Sequence, residues 1–220
     1  MLNPPPSPSR GPAPSAPATA LPHINTILKR LEPVQLSSRG GWTEEGDHLE
    51  RLIPMVAAVV LDDVEAIQTL VEHGFNVNEM CYGSFQTAVY KAASTGKIAS
   101  LRRLLALGAD IDIARVEDRA GRSITHAAAV NGQAACLAVL RKHGCDMGLL
   151  DGNGCTAAWH AARKGHAGAL SVLISSQSAN IHISCAGGRH GTALDVAQIM
   201  GRKECVKLLA AAGMPRSLPA

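Results

Sequence analysis

Nine histidines and six cysteines are spread through 220 residues, and side chains of these types can bind metal or act as nucleophiles. His143, Cys145 and Cys155 fall near one another along the chain, as do His182, Cys185 and His190. A zinc site written into local sequence usually shows cysteine pairs with about two to four residues between them. No two cysteines here stand that close. Nucleophilic catalysis is no better supported: there is no G-x-S-x-G elbow, and no cysteine has neighbours that would lower its pKa. The run Gly187-Gly188-Arg189-His190-Gly191 is rich in glycine but lacks the Lys-Ser/Thr pair of a phosphate loop. These residues predict no enzyme activity, no metal site and no cofactor.

The elements that would position such residues follow a period. Gly96, Gly132, Gly165 and Gly201 each close a short apolar segment, and Asp62 holds the equivalent place in a weaker first copy. The five positions are spaced by 34, 36, 33 and 36 residues. Nine residues before each glycine stands Thr87, Ser123, Thr156 or Thr192, where a side-chain oxygen can cap a helix. Four before each is Ala92, Ala128, Ala161 or Ala197, with Ala58 in the first copy. A second small residue follows at Gly74, Gly108, Gly144, Ser178 and Gly213, after a stronger apolar stripe such as Ile98, Leu101, Leu104 and Leu105. A fixed period of this length predicts an all-α solenoid of stacked helix-turn-helix units joined by short hairpin-like turns.

Composition limits what such a solenoid does. Lys and Arg number 21 against 18 Asp and Glu, for a formal charge of +3, and the basic residues occur as short pairs rather than one cluster. That balance disfavours a nucleic-acid or membrane-surface binder. No stretch approaches the roughly 18 apolar residues of a spanning helix. With no signal peptide in view, the cysteines are expected to be six thiols and the chain cytoplasmic, nuclear or both. Residues 1–21, dominated by Pro, Ala and Ser, are expected to be a disordered tail. An acid-poor organelle transit peptide is the weaker alternative there. Ile24, Ile27, Leu28 and Leu31 recur at helical spacing, so residues 22–52 are expected to form a helical cap and linker. The repeat domain is placed at 53–214 and a C-terminal tail at 215–220.

The run Asp151-Gly152-Asn153-Gly154-Cys155-Thr156-Ala157-Ala158-Trp159-His160-Ala161-Ala162-Arg163-Lys164-Gly165-His166, with Leu107-Gly108-Ala109-Asp110-Ile111-Asp112, carries a specific pattern. It resembles the ankyrin repeat family. Ala88, Ile124, Ala157 and Ala193 depart from the family's proline, and only His126 keeps its histidine, a slot held elsewhere by Tyr90, Trp159 and Asp195. The resemblance implies a non-catalytic protein-binding module, an adaptor or regulatory subunit that grips a partner protein on a concave face. Carried over residue by residue, the expected contacts are Tyr90, Ser94, Arg119, Arg122, Asn131, Asn153, Trp159, Arg163, Lys164, Arg189, Ile199 and Met200. The Arg/Lys stripe of the third and fourth units suits an acidic segment in a partner of a monomeric chain. Binding of nucleic acid or another polyanion through that stripe is the alternative.

Overall fold

The computed structural model describes residues 26–27, 29–30, 54–81, 86–111, 121–176 and 191–214. The expectations placed on 1–21, most of 22–52, Cys185, Arg119, Arg189, the 187–190 turn and 215–220 lie outside the described residues. Among the described residues ten helices run in order through the repeats: α1 (Pro54–Leu61), α2 (Val64–Glu72), α3 (Ala88–Thr95), α4 (Ile98–Ala106), α5 (Ile124–Val130), α6 (Ala134–Lys142), α7 (Ala157–Lys164), α8 (Ala167–Ile174), α9 (Ala193–Ile199) and α10 (Lys203–Ala211). Among the described residues there is no strand, only the single bridges Met80–Thr87 and Leu150–Thr156 at the turns between units.

The odd-numbered helices pack on one another in sequence, α1 through α9, and form an inner row. The even-numbered helices form an outer row, each also packed on its partner in the same unit. One short helix cannot bury its apolar face alone, so each unit takes its core from its neighbours. The inner row approaches closely because its buried faces are alanine: Ala58, Ala92, Ala128, Ala161 and Ala197 have no exposed surface. The outer helices add larger groups, with Ile67, Leu70, Leu101, Leu104, Leu137, Leu140, Leu170, Leu173 and Leu209 fully buried.

Local chemistry starts each inner helix. Thr156 Oγ1 accepts from the Trp159 amide at 3.2 Å, and Thr192 Oγ1 from the Asp195 amide at 3.3 Å. Asp195 returns the contact, its Oδ2 accepting from the Thr192 amide at 2.8 Å, which makes a capping box. In the first unit Pro54 takes the first helical position, where a missing N–H costs nothing. Asp62 has the one positive φ among the described non-glycine residues, +57°, in the slot glycine fills elsewhere. Its Oδ1 accepts from Ser100 Oγ at 2.6 Å, so the unfavourable backbone gains a bond to the second unit. Ile27 is buried with the core, and Arg30 Nη2 lies 2.5 Å from Asp63 Oδ2 beside the first unit.

Two glycines are fixed by geometry twice over. Gly132 (φ +71°) and Gly165 (φ +86°) adopt the left-handed conformation that ends or follows an inner helix. A Cβ at Gly132 would also lie 2.8 Å from the His166 ring, and one at Gly165 would lie 2.8 Å from Arg202 Cδ. His166 Nε2 donates to the Val130 carbonyl at 3.0 Å, and Arg202 Nε to the Arg163 carbonyl at 3.3 Å. Gln133 sits on Gly96 in the same way. Each of these joints is a side chain from one unit seated on the glycine of the unit before it.

Candidate functional site

Because the inner helices stack in register, the residues just before each closing glycine form a row. Thr95 ends α3, Asn131 follows α5, Arg163 and Lys164 end α7, and Ile199 and Met200 close α9; all are exposed. Leu61, at the end of α1, extends the row and is 45% exposed. Ile199 is 62% exposed, the largest value among the large apolar residues that the structure describes, and Met200 stands beside it at 43%. The Arg163 guanidinium lies over the Trp159 ring, 5.6 Å from its centroid, which holds a long side chain in place without neutralising it. The row is therefore cationic at α7 and apolar at α9.

The other expected contacts are placed differently. Ser94 is half-buried and its Oγ donates to the Lys91 carbonyl at 3.0 Å; Asn131 Nδ2 donates to the Ala127 carbonyl at 2.9 Å. Arg122 is half-buried and Asn153 exposed, both in turn segments ahead of inner helices. Tyr90 and Trp159 are core residues, only 7% and 3% exposed, which removes them as surface anchors. The physical reason is their slot: both are the third residue of an inner helix, a position that is buried at His126 and Asp195 as well.

His126 shows what that slot does. It is fully buried, and its Nδ1 accepts from the Ser123 amide at 3.3 Å and from Ser123 Oγ at 2.7 Å. That leaves Nε2–H to donate to the Cys155 carbonyl of the next unit at 3.0 Å. Burial is the main influence on its pKa and pushes it below the ordinary histidine value, so the ring is neutral near pH 7.

Beside this contact lies a polar cluster that sequence spacing did not reveal. Asp151 Oδ1 accepts from the Asn153 and Cys155 amides, both at 2.9 Å, while Oδ2 accepts from His160 Nε2 at 2.8 Å. The Asp151 side chain has no exposed surface and that of His160 has 12%. Burial pushes the Asp151 pKa upward, but the hydrogen bonds from Cys155, His160 and Asn153 outweigh it and hold the carboxylate below its usual range. Burial lowers the His160 pKa, against the opposing pull of Asp151. The rings of His126 and His160 meet edge to face, 5.7 Å apart. Asp151, Cys155 and His160 bring one carboxylate oxygen, one sulfur and one imidazole nitrogen within 4.8 Å of one another. Cys155 is disulfide-bonded, which corrects the expectation of six thiols.

A family model described as ankyrin repeats matches residues 55–151 and, in a second alignment, 125–215. The chain belongs to the ankyrin-repeat family. Ankyrin repeats generally mediate protein–protein interaction and are typically not catalytic. Among the described residues, no helix of the ankyrin domain is long and apolar enough to cross a membrane.

The ankyrin stack also sorts its thiols by depth. Burial pushes the Cys136 thiol up to about 11, and Cys136 has no exposed surface, whereas Cys145 is half-buried. In the native protein at neutral pH, iodoacetamide is expected to alkylate Cys145 well before Cys136, because the thiolate is the nucleophile. Time-resolved peptide mass spectrometry would show the order, and equal rates at the two sites would contradict it.

Proposed function

We propose that this ankyrin protein is a non-catalytic adaptor or regulatory subunit whose inner-row ends hold a partner protein. The observation that carries this reading is the exposed row itself. Arg163 and Lys164 stand in the fourth unit of that row, and Ile199 and Met200 present apolar surface on the adjacent fifth unit. Arginine backed by an aromatic ring and flanked by exposed apolar groups is a composition enriched at binding hot spots. A partner segment with acidic residues next to an apolar anchor matches it in charge and in character. The stacked units hold the row rigid before binding, so little ordering entropy is lost.

The test is affinity capture with the full chain, followed by titration of the recovered partner against Arg163→Glu/Lys164→Glu and Ile199→Asp variants. Each variant is expected to weaken binding by about 2 kcal/mol or more, with the fold unchanged by circular dichroism. Unaltered affinity in both would place the binding surface elsewhere. Nucleic-acid binding whose affinity falls steeply with salt, and which is lost with the charge reversals, would favour the polyanion alternative.

A further inference from the structure

The Asp151–Cys155–His160 corner contains a carboxylate, a sulfur and an imidazole, three different donors on one turn and the first coil of α7. The geometry points to a divalent zinc site that opens when the Cys155 disulfide is reduced. A disulfide sulfur is a poor metal ligand, whereas a thiolate with an imidazole and a carboxylate is a set that zinc favours. With Zn–S near 2.3 Å and Zn–N and Zn–O near 2.0–2.2 Å, tetrahedral ligand atoms sit about 3.2–3.7 Å apart. The three donors already lie within 4.8 Å of one another, and the 2.8 Å His160–Asp151 contact must open by about half an ångström.

The surroundings hold these donors as an outer shell would. Two backbone amides, of Asn153 and Cys155, fix Asp151 Oδ1 and leave Oδ2 directed at His160. His126 pins the Cys155 carbonyl and so positions the cysteine backbone from the preceding unit. Three protein ligands leave a fourth position for a further ligand, the arrangement of an open zinc site.

The chemistry balances with a low-molecular-weight thiol as reductant. Two such thiols give up two electrons and two protons, the protein disulfide becomes two thiols, and the small molecule leaves as its own disulfide. Zinc then displaces the Cys155 thiol proton to solvent. His160 moves its proton from Nε2 to Nδ1, so that Nε2 can bind the metal in place of donating to Asp151.

The experiment titrates the full chain with Co²⁺ as an optical probe, once after reduction with a phosphine and once oxidised. The reduced protein is expected to bind one equivalent, with a thiolate-to-cobalt charge-transfer band that Zn²⁺ abolishes by displacing the cobalt. The oxidised protein is expected to show no such band. In reduced protein, Cys155→Ser should remove the band, and His160→Gln and Asp151→Asn should each weaken binding at least about tenfold. No band in the reduced wild type, an equal band when oxidised, or its survival in Cys155→Ser would each overturn the proposal. Where Cys155→Ser does not fold, reduced His160→Gln decides the matter, because an unweakened band there would place the cobalt away from this corner and overturn the proposal.

Discussion

Replacing His126 with alanine is expected to cost about 3 kcal/mol and to uncouple the two halves of the stack. The substitution removes a fully buried ring that accepts from Ser123 and donates to the Cys155 carbonyl across a unit boundary. Its loss leaves a buried amide and a buried carbonyl short of partners and opens a cavity, and both effects destabilise. Because the units interact only with neighbours, a weakened boundary between α5 and α7 should split one unfolding transition into two. Urea denaturation followed by far-UV circular dichroism, with tryptophan fluorescence for Trp159, would report this. A single transition with an unshifted midpoint would show that the ring contributes nothing to coupling. His126→Gln, which keeps one acceptor and one donor, should recover part of the loss.

The same ring gives the protein a pH dependence with a definite sign. Its folded pKa lies below 6.5, so as pH falls the unfolded chain takes up this proton first. Stability from His126 is therefore complete above about pH 6.5 and declines below it, toward the folded pKa. His160 acts in the same direction. Asp151 contributes in a different window, since its carboxylate is held below the ordinary 3.8 and stability is lost only as pH falls past that value. The His126→Ala protein should show a shallower decline just below pH 6.5 than the parent.

Ala128→Leu is expected to be about as damaging, by the opposite route. Ala128 is fully buried in α5, between α3 and α7, and the spacing of the inner row depends on side chains of this size. Adding three heavy atoms to a close-packed site forces helices apart or side chains off their rotamers, at a cost of about 3 kcal/mol. The exposed Ala210 of α10 is the control, where the same change should alter stability by less than about 0.5 kcal/mol. Comparable losses at both positions would mean that inner-row spacing is not limiting.

Much of the fold was legible because each unit announces itself locally. Thr87, Ser123, Thr156 and Thr192 stand nine residues before their glycines, and all four are helix N-caps in the structure. Asp62 was legible as a glycine substitute from its place in the period, and its positive φ matches that place. Arg163, Lys164, Ile199 and Met200 were expected at the surface and are exposed there. Tyr90 and Trp159 were misplaced because an aromatic residue in the third helical slot suits surface or core equally well until the neighbouring unit is present. The Asp151–His160 pair was hidden for another reason. A carboxylate nine residues before a histidine has no meaning until a turn folds one back onto the other. The contact between His126 and Cys155 spans 29 residues, beyond any local pattern.

The side chains seated on glycines bear on how such a chain avoids assembling in the wrong order. Glutamine, histidine and arginine occupy the three successive joints at Gly96, Gly132 and Gly165, and no two are alike in shape, charge or reach. A unit that slipped by one period would bring a mismatched side chain to each glycine, and would leave the Val130 and Arg163 carbonyls out of line with their donors. Near-identical helices that could otherwise exchange places, within one chain or between two, are thereby given an address. The diversity of these joints distinguishes one unit boundary from the next, in residues that contribute little to the core.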